Sequence, residues 1–219
     1  MPGKVKTRRK RLGREGLNRE RVLSEALVLA DREGPEAITM RGLADHLGVS
    51  PMALYNHVSS KKDLVQGLAE HLVNHVDFSC DDSHWQERIR SCFRRLRDAC
   101  LAHPSAIRLM ETVEVAPVSV FRPMEITLAA LDKAGIGSAD AVKGYCLLIG
   151  FTMGQVSYEI RGPFRSFDAG EALRRRRIAG AGFSHIERSV ALDGWDFTSS
   201  FEFGLSVILA GLQEFALKK

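Results

Sequence analysis

Residues 39–64 read TMRGLADHLGVSPMALYNHVSSKKDL and contain the start and stop signals of two short helices separated by one tight turn. Thr39 is a residue type that caps a helix start, and Gly48 stands where a left-handed residue would end that helix. Ser50 can cap the next helix, with Pro51 at its first position, where the missing N–H costs nothing. This spacing is typical of a helix-turn-helix.

The apolar positions of this stretch predict a small core between the two short helices, made of Leu43, Leu47, Val49 and Leu54. Leu54 is the main inward-facing residue of the second short helix, and the other positions carry small or polar groups: Met52, Ala53, Tyr55, Asn56 and His57. An ordinary pair of core helices would show a wider apolar stripe. A helix in the major groove of DNA needs a narrow one, with polar side chains that reach bases and phosphates.

A third helix precedes this pair. Asn18 can cap it, and Gly34-Pro35 can end it. Lys61 and Lys62 follow the pair at the start of the next helix, where they could neutralise phosphates. We therefore predict a helix-turn-helix DNA-binding domain over residues 17–62.

Residues 1–16 are polar and show no periodicity, which predicts a disordered basic arm. Six basic residues lie within residues 1–12 without an acidic one. The arm could be a solvated tail or could contact a nucleic-acid backbone.

The rest of the chain, residues 63–219, predicts helices and shows neither strand-like alternation nor an internal repeat. The predicted spans are 60 to about 79–82, 83–103, 105–113, 119–134, 139–160 and 195–217, with a looser stretch over 161–194. The expected fold class is all-α, with the larger C-terminal domain serving regulation and dimerisation.

Composition excludes several classes of protein. The chain has 219 residues, 45% of them hydrophobic and 26% charged, which is ordinary for a globular protein. No apolar run approaches the roughly 18 residues of a membrane span, and the basic N-terminus lacks the apolar segment of a secretory signal. We therefore expect a cytoplasmic protein without membrane contact. Four cysteines lack metal-site spacing and are expected to be reduced thiols: Cys80, Cys92, Cys100 and Cys146.

The segment 39–64, and above all Leu-Tyr-Asn-His-Val at 54–58 followed by Lys61 and Leu64, resembles the N-terminal DNA-binding domain of TetR-type transcriptional regulators. Ala102-His103-Pro104, residues 131–135 and residues 150–154 resemble the regulatory domain of the tetracycline-repressor branch. The resemblance implies an all-α homodimer that binds a palindromic operator in double-stranded DNA and is released by a small-molecule inducer.

Carried over by position, the resemblance implies DNA contacts from ten residues: Thr39, Arg41, Ser50, Pro51, Met52, Ala53, Tyr55, Asn56, His57 and Lys61. Thr39 and Lys61 match phosphate contacts. Since Pro51, Met52 and Ala53 are poor hydrogen-bond donors, base reading would depend on Arg41, on Asn56 and on methyl contacts to thymine.

The middle helices would enclose the inducer. The candidate lining residues are Phe93, Leu96, Arg97, Arg108, Met110, Val113, Phe121, Met124, Ile149, Thr152, Met153, Gln155 and Tyr158. Each of these could instead belong to the core. The residue types that hold magnesium and tetracycline in the tetracycline repressors are absent from the comparable positions, Val76, Cys92, Leu96 and Tyr158, so tetracycline is not the expected inducer.

The resemblance implies that helices 139–160 and 195–217 form the dimer contact, and both carry apolar faces and small residues that allow close crossing. Packing within one protomer is the alternative. The small residues are Gly144, Gly150, Gly154, Gly204, Ala210 and Gly211. The helix after Ser60, which joins the two domains, is the expected transmitter of the inducer signal.

Two other functions stay open. The chain could be a DNA-binding regulator controlled by a protein partner without a ligand pocket, or an all-α enzyme. The motifs of phosphate loops, nucleophile elbows and zinc proteases are missing, and no catalytic residue or cofactor is predicted. His71 and His75 share one helix face near Asp77, but the glutamate that would follow the first histidine in a zinc protease is absent, so no metal site is predicted.

Overall fold

The structure is a computed structural model, and every regular element among the residues it describes is helical. The described residues are 16–81, 84–110, 117–161, 182, 185 and 196–217. The predicted arm therefore lies outside them except for residue 16, as does most of the stretch 161–194. The all-α fold class is confirmed.

By packing, the chain forms two compact units. The first contains residues 1–77 and 102–122, and the second contains residues 78–101 and 123–219. These units follow packing, whereas the predicted boundary at residue 62 follows a sequence motif, so that boundary stays a prediction.

Within its described residues, the first unit has five α-helices: α1 (Arg19–Glu33), α2 (Met40–Leu47), α3 (Pro51–Tyr55), α4 (Lys61–Asn74) and α6 (Pro104–Met110). A 3₁₀ turn over Val118–Phe121 also belongs to it. The helices α1, α4 and α6 pack against one another, and α2 packs against both α1 and α3.

Side-chain caps begin the first four helices, the first three of them at the predicted residues. The Asn18 side chain accepts from the Arg21 amide at 2.8 Å, and the Thr39 hydroxyl accepts from the Gly42 amide at 2.9 Å. Gly34, at a φ of +90°, follows α1, where a side chain would be strained. Short-range signals thus determine where these helices begin and end.

The helix α4 ends earlier than predicted, at Asn74 rather than near residues 79–82. Val76 bonds to the Val73 carbonyl in a tightened last turn, and the His75 ring bonds to the His71 carbonyl at 2.7 Å. These bonds satisfy carbonyl groups at the end of the helix, so it can stop there without a glycine or proline.

The second unit contains α5 (Trp85–Ala102), α7 (Arg122–Lys133), α8 (Ser138–Arg161) and α9 (Phe197–Leu217). The first residue of α7, Arg122, and the last of α5, Ala102, fall in the first unit. The helices α8 and α9 pack together. No helix in the described ranges has the length and apolar character needed to cross a membrane.

Charged contacts join α5 to α9. The Arg94 guanidinium binds Glu202 with two bonds, from Nε to Oε1 at 2.6 Å and from Nη2 to Oε2 at 2.7 Å. Arg90 donates to the Ser206 hydroxyl at 3.0 Å, and Ser206 lies on α9 like Glu202. The paired arginine holds the pKa of the Glu202 carboxyl below its ordinary value. Two-bond pairs of this kind fix orientation as well as distance.

The four cysteines are free thiols. Cys92 and Cys100 are buried on α5, and burial raises the pKa of each to about 12, so both stay protonated at neutral pH.

Candidate nucleic-acid interface

The helix α3 buries one narrow side and exposes the rest. Leu54 is fully buried, whereas Met52 is 72% exposed and Tyr55 is 47% exposed. Asn56 ends the helix and is also exposed. The narrow inward side that the sequence predicted is therefore present, with hydrogen-bonding groups on the solvent side.

Ala53 is the one predicted DNA-contact residue whose side chain is buried. It is only 6% exposed, and its methyl group lies in the helix-turn-helix core with Leu54. Its contact with DNA stays a prediction.

The turn before α3 depends on two backbone features. Gly48 adopts the left-handed conformation at a φ of +70°, and the Val49 amide bonds back to the Ala44 carbonyl at 3.0 Å. The Ser50 hydroxyl then accepts from the Ala53 amide at 3.2 Å and starts α3. These bonds set the direction in which α3 leaves the turn.

The start of α4 places cations beside α3. Ser60 caps the helix by accepting from the Asp63 amide at 3.1 Å, and Lys61 and Lys62 in the first turn are exposed. Positive groups at this position are suited to phosphate oxygens.

A cross-helix network fixes the segment between α3 and α4, and sequence reasoning missed it. Arg19 of α1 donates to the His57 carbonyl at 2.9 Å and to the Asp63 carboxylate at 2.7 Å. The other Asp63 oxygen accepts from the Ser59 amide at 2.7 Å and from its hydroxyl at 3.0 Å. The Arg19 guanidinium and the Ser59 donors hold the pKa of the Asp63 carboxyl below its ordinary value.

A serine followed three residues later by an acid is a capping signal, so the Ser60–Asp63 pattern could have indicated Asp63. No local pattern indicates Arg19, which lies 44 residues earlier.

The predicted DNA-contact residues lie around this segment. Those exposed to solvent are Thr39, Arg41, Ser50, Pro51, Met52, Tyr55, Asn56 and Lys61, and His57 is half-buried. They come from the starts of α2, α3 and α4 and from the end of α3.

The predicted ligand residues are divided between the units. Arg108 and Phe121 lie in the first unit and are exposed; Met110 also lies there, but its side chain and all of Val113 are outside the described residues. In the second unit the buried members are Phe93, Leu96, Arg97 and Thr152. Met124, Ile149, Met153 and Gln155 are half-buried, and Tyr158 is exposed.

Arg97 has a partner inside the second unit. Its Nη2 atom lies 2.6 Å from a Glu159 carboxylate oxygen, and its guanidinium lies 5.1 Å from the centre of the Phe201 ring. Its Nε atom and the Thr152 hydroxyl are buried without a hydrogen-bond partner. Such orphaned polar atoms are rare in native interiors.

The helices α8 and α9 expose an apolar face. Its members are Leu147 and Tyr158 of α8 and Phe203, Val207 and Phe215 of α9. Side chains of this size are seldom left in solvent as a group.

The small residues of these two helices fall into two sets. A Cβ at Gly144 would lie 3.0 Å from a Leu212 methyl, and one at Gly204 would overlap the Phe151 ring, so both serve packing within the protomer. A Cβ at Gly150, Gly154 or Gly211 would meet nothing within 4 Å.

Two family models match the chain. Residues 22–68 match the bacterial regulatory proteins of the tetR family, and residues 80–216 match the tetracyclin repressor-like C-terminal domain. The first match contains the helix-turn-helix described above.

Among curated proteins, the chain is 32% identical over 197 residues to the class A tetracycline repressor from transposon 1721 of Escherichia coli, covering 87% of this chain and 88% of that one. It is 30% identical over 204 residues to an HTH-type transcriptional regulator of Saccharopolyspora erythraea, covering 90% and 84%.

Solved structures agree. A possible TetR family regulator from Streptomyces coelicolor A3(2) superposes with a TM-score of 0.77 at 31% identity, covering 90% of this chain and 99% of that one. ActR of Streptomyces coelicolor in complex with (S)-DNPA gives 0.73 at 26% identity, covering 90% and 96%. BioQ with its natural double-stranded DNA operator gives 0.64 at 25% identity, covering 90% and 98%.

The helix-turn-helix geometry, the two family models and relatives spanning nearly the whole chain agree on one assignment. The chain belongs to the TetR family of helix-turn-helix transcriptional regulators.

Proposed function

We propose that this regulator is a repressor that binds a palindromic operator as a homodimer and leaves it when a small molecule binds. The observation that carries the proposal is the exposed row of α3, bounded by Met52 and Asn56, beside the exposed Lys61 at the start of α4. A similar structure, BioQ, holds its DNA operator.

In this proposal the exposed residues divide into two roles. Thr39 and Lys61 contact phosphates and set the position of the helix-turn-helix on the duplex. Arg41 and Asn56 read base edges, and the Met52 side chain contacts thymine methyl groups.

A homodimer is required because a palindrome offers two half-sites in successive major grooves, about 34–36 Å apart. The apolar face of α8 and α9 supports this assembly, since homodimer interfaces are more apolar than the rest of the surface. The open positions at Gly150, Gly154 and Gly211 would let a partner helix approach closely.

The orphaned Arg97 Nε and Thr152 hydroxyl support a ligand site in the second unit, because a buried polar atom without a protein partner is a position where a polar ligand can bind. ActR, a structure of the same fold, binds (S)-DNPA.

Residues 102–122 offer a route for the signal, together with α4. They are covalently continuous with the second unit at both ends, yet α6 packs against α1 and α4 in the first unit. A ligand that changes the preferred position of α6 would therefore also change the packing of α1 and α4 in the DNA-binding unit. Binding of the ligand and binding of the operator would then be coupled reciprocally.

The experiment that tests DNA binding is selection of bound sequences from a random duplex pool by the purified chain. We expect a palindromic consensus. Lys61→Ala should make the dependence of log affinity on log salt shallower by about two, since each phosphate contact contributes about 0.9 and the dimer has two.

Lys133→Ala, an exposed lysine of α7, is the matched control and should leave the slope unchanged. Arg41→Ala should relax the preference at one position of each half-site. An unchanged slope for Lys61→Ala, or no enriched sequence, would contradict the proposal.

Release by a small molecule is tested with labelled operator and a compound library. A compound that releases the wild-type chain should lose potency against Thr152→Val, which keeps the shape of the side chain and removes the hydroxyl. Equal potency would place the ligand elsewhere, and release by a protein fraction alone would favour the protein-controlled regulator.

A further inference from the structure

Three side chains with metal-binding atoms meet where α1 crosses the end of α4. They are Glu20 in the first turn of α1, His71 in the last turn of α4 and His75 at its C-cap. One ligand atom from each lies within 4.8 Å of the others. The crossing is close because Gly67 has no side chain: a Cβ there would lie 2.7 Å from a Leu23 methyl.

Two of the three distances between the donor atoms match those between the ligands of one small ion, and the third is no more than 4.8 Å. Glu20 Oε1 lies 3.4 Å from His71 Nδ1 and 3.2 Å from His75 Nε2. A tetrahedral Zn²⁺ ion with bonds of about 2.0–2.1 Å keeps its donor atoms about 3.3 Å apart. The carboxylate therefore already stands at coordination distance from both rings.

The His75 ring is oriented as a ligand. Its Nδ1 atom lies 2.7 Å from the His71 carbonyl oxygen, and only a protonated nitrogen can donate there. In the neutral ring, Nε2 is then left with its lone pair facing the Glu20 carboxylate. A bond from the second ring nitrogen to a carbonyl is the usual support of a metal-binding histidine.

The His71 ring supplies an independent observation. Its side chain is only 8% exposed, and its Nδ1 atom is buried without a hydrogen-bond partner although Glu20 is at ion-pair distance. Buried polar atoms are rarely left in this state. A cation placed between the His71 Nδ1 atom, the His75 Nε2 atom and the Glu20 carboxylate would satisfy all three groups.

We propose that Glu20, His71 and His75 bind a divalent transition-metal ion, Zn²⁺ by the chemistry of the donors, with water in the fourth position. Two imidazoles and one carboxylate are a recurrent zinc set with one open position, whereas Mg²⁺ and Ca²⁺ prefer all-oxygen sites. The two histidines are visible in the sequence as a pair on one helix face, but their acid is not a neighbour: it comes from α1, 51 positions before His71.

The site is independent of the operator proposal. Its structural effect would be to join α1 to the end of α4, two elements of the first unit. The side chains of Glu20 and His75 are 65% and 58% exposed, so an ion can reach them from solution.

The test is titration of Zn²⁺ into the full, tag-free chain after removal of metal with a chelator, followed by calorimetry. We expect one equivalent per protomer and a rise in melting temperature with Zn²⁺ concentration. Co²⁺ in place of Zn²⁺ should give visible absorption without the near-ultraviolet band of a thiolate ligand, which separates this site from the cysteines.

Glu20→Gln and His75→Ala change exposed side chains and should fold, and each should weaken Zn²⁺ binding by at least about 10-fold. His46→Ala is the matched control. His46 also pairs with a glutamate of α1, Glu25 at 2.9 Å, but within the described part of the chain no third ligand side chain completes a cluster there.

His46→Ala should therefore bind Zn²⁺ like the wild type. The proposal is overturned if the wild-type chain binds no Zn²⁺, if neither Glu20→Gln nor His75→Ala weakens binding, or if the cobalt spectrum shows a thiolate ligand.

Discussion

The helices α3 and α9 expose surfaces of opposite chemistry. The five residues of α3 bury Leu54 and present Met52 and Tyr55 to solvent, near the cation of Lys61. The 21 residues of α9 present Phe203 and Val207 instead, among other apolar groups. The first surface is suited to a hydrated polyanion and the second to a dry contact with another apolar surface.

This difference predicts opposite responses to salt. Binding through phosphates releases counterions and weakens steeply as salt rises. Burial of apolar surface is not a charge interaction and has no such dependence. A salt titration of the intact regulator should therefore remove the operator before it separates the protomers.

The largest effect is expected from charges in the apolar face of α9. Phe203→Glu combined with Val207→Glu places two carboxylates where the dimer contact is proposed, and analytical ultracentrifugation should show a monomer. Because a dimer binds the second half-site intramolecularly, operator affinity should fall by about 10²- to 10⁴-fold.

The control is Val28→Glu, the same kind of exchange at a 50% exposed position of α1. It should remain a dimer. All these side chains are exposed in the protomer, so the helical circular dichroism should be unchanged; a double variant that keeps the dimer mass would contradict the proposed contact.

A smaller effect is expected from alanine at two glycines of α8 and α9. Gly204→Ala would press a methyl group against Phe151, whose ring stacks on Phe201 at 5.6 Å between centroids, and should cost about 1–3 kcal/mol of unfolding free energy. Gly150→Ala meets open space in the protomer. It should favour the helix by up to about 1 kcal/mol while weakening the dimer.

Urea denaturation at fixed protein concentration measures the first change, and sedimentation equilibrium measures the second. The two variants share the gain in helix propensity, so their difference isolates packing. Equal stability of the two proteins would refute the division of the glycines into two sets.

The smallest effect is expected from Asp63→Asn in the Arg19 network. The folded-state pKa of this carboxyl lies below the ordinary 3.8, so its contribution is fully present above that pH and is lost as the pH falls through the lowered value. We expect a loss of about 1 kcal/mol at pH 7, modest because both partners are partly exposed.

The exposed Asp45→Asn serves as control in urea denaturation at neutral and acid pH. The gap between the two variants should close in acid. A gap that persists at the lowest pH would show that the carboxylate charge is not the source of the stability.

The sequence predicted what depends on neighbours in the chain. Asn18, Thr39 and Ser50 each make the predicted cap, because an N-cap bond joins residues only three apart. The apolar pattern likewise placed Leu43 and Leu54 in the core, where both are fully buried. The family and its helix-turn-helix were recognisable from residues 39–64 alone.

Contacts between distant residues were not predictable. Arg19 and Asp63 are 44 positions apart, and Arg97 and Glu159 are 62 apart, so neither pair leaves a periodic signal. Alanine is small enough for either an exposed or a buried position, and only the packing of α3 shows that Ala53 is buried. The two sets of glycines in α8 and α9 cannot be told apart in the sequence, because they differ only in the atoms that an added Cβ would meet.

The bonds that hold the loop between α3 and α4 in place come from residues outside α3. Arg19 and Asp63 secure the loop after α3 through the His57 carbonyl and the Ser59 amide, a main-chain attachment that is indifferent to the side chains of Met52 and Tyr55. Those exposed positions can therefore change by mutation without loosening the scaffold that carries them. A chain built in this way can acquire a new target sequence in evolution while its architecture is inherited intact.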